Sequence, residues 1–193
     1  MDQNPYAPPT LAADVPLANV RVPAQAMPWF AVGTRKLFAM CVLTLGLYVI
    51  FWFFCQYRAQ KRAFRESTWP FARAFFAVLY AHELFRRVER AAKAADVQQS
   101  WTYGGMGVLF VVSAIVSRVL SRVSDSGPVT LLTLTMVFGL AYPVYRVQGT
   151  INDLLAREFG DFERNERFSV WNWLVGGLGA LVIVAAVVGS VLP

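Results

Sequence analysis

Residues 37–57 read LFAMCVLTLGLYVIFWFFCQY and carry no charge over 21 positions. About 20 residues of helix cross the hydrocarbon core of a bilayer. Arg35-Lys36 precede the run and Arg58 follows it, and Trp52 and Tyr57 suit one membrane interface. The stretch is therefore expected as a first transmembrane helix. Gly46, in its middle, is the one residue that favours a bend or a close helix contact. A bend there makes the run re-entrant and returns both its ends to one side. Span or re-entrant, this run sets the number of crossings and the side of the N-terminus.

Composition supports a membrane setting for the whole chain. Of 193 residues, 56% are hydrophobic and only 16% charged, where soluble domains carry about 25%. Mean hydropathy is +0.45. The net charge of +6 comes from basic residues sitting beside apolar runs, which indicates orientation and contact with anionic headgroups rather than nucleic acid. Cys41 and Cys55, 14 positions apart on one helix, lie about 21 Å from each other, too far for a disulfide. With His82 as the only histidine and no Cys/His cluster, neither a metal site nor a cofactor is expected.

The rest of the chain is expected as an all-α integral membrane protein. Residues 1–34 read as a flexible, Pro-rich tail, with six of the ten prolines in residues 1–28 and no cleavable signal peptide. Residues 35–193 read as a single helical domain with about four spans, at 37–57, 101–120, 129–147 and 170–192. Between them lie a basic cytoplasmic segment (58–100), a tight SDSGP turn (124–128) and a polar loop (148–169). Ser113, Ser117 and Ser121 share a helix face, and Gly176/Ala180, Ala185/Gly189 and Ala186/Ser190 are small-residue pairs suited to helix packing. Pro143 kinks the third span or marks its last turn. Residues 58–96 hold nine Lys+Arg and residues 146–168 hold four, against three before the first run (Arg21, Arg35, Lys36) and two at Arg118 and Arg122. Four spans and the positive-inside rule put both termini outside the cytoplasm. Arg35-Lys36 run against that orientation, and a re-entrant 37–57 removes the conflict.

Residues 69–87, WPFARAFFAVLYAHELFRR, are apolar yet charged at Arg73, His82 and Glu83. The uncharged core of the stretch is too short to span. From Ala81 to Ala95 the apolar residues Ala81, Leu84, Phe85, Val88, Ala92 and Ala95 fall in one arc of about 100°, opposite His82, Glu83, Arg86, Glu89, Arg90 and Lys93. Glu83–Arg87 and Glu89–Lys93 are favourable i,i+4 pairs. An interfacial or re-entrant amphipathic helix over about 69–95 follows, starting at Pro70, with the 71–79 half buried more deeply. Arg73 either snorkels to phosphates or lines a polar pocket with His82 and Glu83.

Several runs resemble small bacterial multi-pass inner-membrane proteins of unknown function. They are the T-x-G-x-Y pattern of Thr44, Gly46 and Tyr48 followed by Phe51-Trp52-Phe53, the PFARAFFAVLYAHELFRR run, VQGTIN at 147–152, N-x-x-F-S-x-x-N from Asn165 to Asn172, and the opening NPYAPP. The resemblance implies a bacterial inner membrane and no particular activity.

Candidate ligand or headgroup residues are Arg73, His82, Glu83, Arg86, Arg87, Arg118, Arg122, Asn152, Asp153, Asn165 and Asn172. Asn152, Asp153 and Asn165 equally suit helix caps. Arg118 and Arg122, four apart, either face an anion or snorkel. The expected spans contain no Asp, Glu or His, so an enzyme is disfavoured. A non-catalytic scaffold, regulator or partner-binding protein is favoured, with a membrane-protein partner or a second copy as the partner. A small oligomeric transporter or channel is the alternative.

Overall fold

The 37–57 run does not form one helix in the computed structural model, which describes residues 27–123, 127–160 and 162–191. It breaks into α1 (Thr34–Leu43) and α2 (Leu47–Phe64). The break has a local cause. Leu45 and Gly46 take left-handed backbone angles, φ 52° and 88°. Thr44 then caps both helices: its hydroxyl donates to the Met40 carbonyl (2.7 Å) and accepts from the Tyr48 N–H (2.9 Å). Gly46 N–H reaches the Cys41 carbonyl at 2.8 Å, so the turn satisfies its own polar groups and needs no water.

The chain reverses at this turn. Phe38 of α1 packs against Tyr145 and Phe138 of α6 (Gly127–Phe159), Gly46 approaches Leu140, and Trp52 and Gln56 of α2 reach Gln148. α1 thus runs against α6 and α2 runs back along it. The two form a helical hairpin with both ends on one side.

The expected helix at 69–95 is also broken. α3 (Pro70–Phe75) and α4 (Ala77–Ala94) meet at Phe76, and Pro70 opens α3 where its missing N–H costs nothing. Ala81, Leu84, Phe85, Val88 and Ala92 of α4 are all fully buried. The predicted apolar arc is real, but it packs on protein rather than on lipid: Phe85 stacks with Phe53 of α2 and edge-on with Phe110 of α5 (Tyr103–Val123). Phe71, Phe75, Phe76 and Leu79 remain exposed as an apolar outer surface.

Among the described residues, three helices are long and apolar enough to cross a membrane, over Tyr103–Arg122, Gly127–Phe159 and Val170–Gly189. The last belongs to α7 (Val170–Val191). α6 continues through Pro143 to Phe159, so residues 148–159, expected in a loop, are helical. Their polar side chains are used inward. Gln148, Thr150 and Asn152 are buried, as are Ile151, Leu154 and Leu155. Of the small-residue pairs on α7, Gly176 packs against Leu43 and Met40, whereas Gly189 meets nothing within 4 Å. The closest approach is at Gly179, against the Leu43 carbonyl. Gly139 similarly lets α6 approach Ser113 of α5. The SDSGP turn lies largely outside the described residues; its Gly127 and Pro128 open α6.

The tail boundary at 34 also moves. Residues 1–26 lie outside the described residues, but Met27, Trp29, Ala31 and Val32 are core residues of an irregular segment. Three buried amides hold its backbone. Gln56 donates to the Phe30 carbonyl and accepts the Phe30 N–H, both at 3.1 Å. Gln148 donates to the same carbonyl (3.2 Å) and Asn152 to that of Val32 (3.0 Å). A buried backbone without a sheet or helix of its own needs such partners, and here side chains supply them.

Candidate functional site

The charged residues of the 69–87 stretch form a closed knot. Glu83 accepts from Arg73 (3.0 Å) and from Arg87 (2.6 Å), and Arg87 also reaches Glu66 (2.5 Å) and Gln60 (3.0 Å). The Arg73 guanidinium lies 5.3 Å from the ring centres of both Tyr57 and Tyr80, and the Tyr57 hydroxyl donates to the Tyr80 carbonyl. Burial by itself would lower the Arg87 pKa, but its bonds to Glu66 and Glu83 outweigh this and hold it above its usual value. These residues tie α2, α3 and α4 together. His82 stands apart from the knot, its ring packed on Gly107 where α4 crosses α5.

The ion-pair side chains are 21–29% exposed, between the surface and buried limits. Surface pairs contribute about 0–1 kcal/mol, and breaking a buried pair costs about 3–5. Glu83→Ala should therefore lower stability by roughly 2 kcal/mol, because it leaves the Arg73 guanidinium without a carboxylate and removes one of the two that hold Arg87. Glu83→Gln should cost less, and thermal unfolding in detergent would rank the two.

A second constellation lies where the hairpin tip and stem meet the start of α7. Thr44 and Tyr48 from the T-x-G-x-Y run and Asn165, Ser169 and Asn172 from the N-x-x-F-S-x-x-N run line one groove of about 570 Å³. Sequences some 120 residues apart thus converge. The floor is buried: Lys36, Met40 and Thr44 are 4%, 1% and 6% exposed. The lips are open: Leu47, Phe51 and Trp171 are 70%, 47% and 75% exposed. Ser169 and Asn172 bond reciprocally and start α7, with Asn172 Oδ1 accepting the Ser169 N–H (3.0 Å) and hydroxyl (2.8 Å).

Lys36 is the chemical centre of this groove. Its ammonium donates to Asn165 Oδ1 (3.0 Å) and to the Arg167 carbonyl (2.7 Å), with the Phe168 ring 6.0 Å away. Asn165 holds this position with left-handed backbone, φ 46°, which Asn tolerates better than most residues. No carboxylate among the described residues pairs with Lys36. Burial lowers its pKa.

The remaining candidates are dispersed. Arg86 is exposed on the outer side of α4, and Arg122 is exposed near the far end of α5. Arg118 borders a cavity of about 300 Å³ with Ser117, Leu45, Gly46 and Phe75, between the α1–α2 turn and the α3–α4 break. Asp153 is exposed and lines a shallow pocket with Arg146. Asn152 belongs to the amide clamp. Sequence reasoning singled out Asn165 and Asn172 but missed Lys36, which reads as one of two flanking charges beside the exposed Arg35. Nothing in the local sequence separates the two. Cys41 and Cys55 are both free thiols, and among the described residues no group of His, Cys, Asp and Glu is arranged to hold a metal.

Comparison with known proteins finds no matching family model, no similar curated protein and no similar solved structure.

Proposed function

We propose that this chain is a non-catalytic integral protein of the bacterial inner membrane, a scaffold or partner-binding module with its folded cap (the 27–33 segment and the parts of α2 and α6 whose amides hold it) in the cytoplasm. Three spanning helices, the re-entrant α1–α2 hairpin and the broken α3–α4 helix make up the membrane part. The carrying observation is the one-sidedness of charge once α1–α2 is a hairpin. Every Lys and Arg in the described residues except Arg118 and Arg122 then lies on α1–α4 and their connecting loop, on the 146–157 part of α6, or in the loop before α7. The conflict at Arg35-Lys36 disappears, and the positive-inside rule assigns that side to the cytoplasm. The N-terminus is cytoplasmic in this reading. The basic outer surface of α4, with Arg86, Arg90 and Lys93, suits anionic headgroups or an acidic partner.

In a variant lacking Cys41 and Cys55, Arg35→Cys and Arg62→Cys are expected to label from the cytoplasmic face and Arg122→Cys from the opposite one. Labelling of positions 35 and 62 from opposite faces would restore a spanning 37–57 and overturn the orientation. The scaffold reading is tested by crosslinking in native membranes, where a reproducible partner band or homo-oligomer is expected.

One observation favours transport as the second reading. Helices broken at membrane depth often build substrate paths, and the α1–α2 turn meets the α3–α4 break at the cavity beside Arg118. Solute or ion flux in reconstituted liposomes would support it; sealed liposomes across a panel of ions would remove it.

A further inference from the structure

We infer that the groove between the α1–α2 hairpin and α7 is a binding site for one anionic glycerophospholipid of the surrounding bilayer, its phosphate on Lys36 and an acyl chain along Leu47, Phe51 and Val175. The inference rests on the membrane reading above, and not on the scaffold role.

The first argument is charge. A buried ammonium is costly unless it is paired, and the partners of Lys36 are a neutral amide and a backbone carbonyl. An ammonium has three donors, and only two are used. Asn165 accepts from Lys36 through Oδ1 and leaves its own amide N–H donors without a partner among the described residues. A phosphate oxygen supplies what this end lacks, a negative charge and acceptors. Its arrival also reverses the burial effect that depresses the Lys36 pKa.

The second argument is shape and position. Lys36 and Thr44 lie eight residues apart on one helix and its cap, so the floor runs for about 12 Å. Its polar end sits beside Trp171, at the start of the α7 run that is long enough to cross a membrane, where headgroups and aromatic belts meet. From there the walls become apolar toward the hairpin tip, through Phe51 and Val175 to Leu47. The lips are exposed on a lipid-facing flank, since Trp171, Leu174 and Leu178 are each more than half exposed. A free anion would leave the apolar length of the groove empty; a zwitterionic lipid brings to its phosphate a cation of its own, which competes with Lys36 and adds a second positive charge beside it. An anionic lipid uses both Lys36 and the apolar length.

The experiment is native mass spectrometry of the full chain, released from nanodiscs of equal phosphatidylglycerol and phosphatidylcholine. One charge-assisted contact corresponds to about tenfold in affinity, so one retained phosphatidylglycerol in about tenfold preference is expected. Lys36→Gln should bring the preference to within about twofold, while Lys61→Gln, exposed near the end of α2 and outside the groove, leaves it unchanged. Val175→Trp fills the apolar part, keeps Lys36, and should lower retention of both lipids. The unfolding midpoint of each variant in detergent separates loss of the site from loss of the fold. Equal retention of the two lipids by wild type overturns the proposal, as does a preference that survives Lys36→Gln. Displacement of the lipid by millimolar inorganic phosphate would show a free-anion site and overturn the phospholipid assignment. A failed lipid preference with intact one-sided cysteine labelling would leave the membrane reading standing; failed labelling would remove both.

Discussion

Gln148→Leu is expected to destabilise the protein by about 3 kcal/mol or more, although leucine nearly matches glutamine in size. Gln148 spends its full hydrogen-bonding capacity in the core. Its oxygen accepts from Trp52 Nε1 (2.7 Å) and Gln56 Nε2 (3.0 Å), and its nitrogen donates to Asn152 Oδ1 (2.8 Å) and the Phe30 carbonyl (3.2 Å). Leucine strands the Trp52 N–H, one Gln56 N–H and the Asn152 oxygen, all in side chains no more than 5% exposed. A satisfied hydrogen bond contributes only about 1 kcal/mol net, but each buried orphan costs about 1–3 kcal/mol. The Phe30 carbonyl keeps its bond from Gln56, so the 27–33 segment should loosen rather than leave. Thermal unfolding in detergent and protease sensitivity near residue 27 would measure the two effects. A variant with wild-type stability would mean that the amide clamp does not hold the segment.

What the sequence displays about this fold depends on whether the relevant partners are local. The arc of Ala81, Leu84, Phe85, Val88 and Ala92 is legible because period 3.6 is a property of one helix. The long uncharged runs of α5 and α7 are legible for the same reason. Gly46 marks the bend in 37–57, but length and lack of charge equally fit a span; Thr44 capping both helices decides between them. The cap is harder to read. Gln148 and Asn152 look like loop residues because their partners, Phe30 and Val32, lie about 120 residues away. The MPWFAV segment looks like the end of a proline-rich tail for the same reason. At the candidate site, Asn165 and Asn172 were visible as polar residues in a motif. The burial of Lys36 was not, since it follows from how α7 closes over α1.

That closure depends on Gly179, and Gly179→Ala should be the most damaging methyl group one could add. The Leu43 carbonyl occupies the place where a Cβ at position 179 would go, and the Thr44 Cα lies 3.4 Å from it. The opposing atoms are backbone, held by the bond from the Thr44 N–H to the Met40 carbonyl (3.0 Å) and by the double cap of Thr44. No rotamer change relieves the overlap, so α1 and α7 must separate. Overpacking typically costs about 1–3 kcal/mol, and a rigid neighbour puts this case at or above the upper end. Gly177→Ala is the internal control. It meets nothing within 4 Å and gains about 1 kcal/mol of helix propensity. The two variants differ by two positions on one helix and should move the unfolding midpoint in opposite directions. Equal midpoints would refute the α1–α7 contact. If the contact holds, Gly179→Ala also pulls Met40 and Thr44 away from Asn172 and Val175, and the groove over Lys36 opens without any change to the residues that line it.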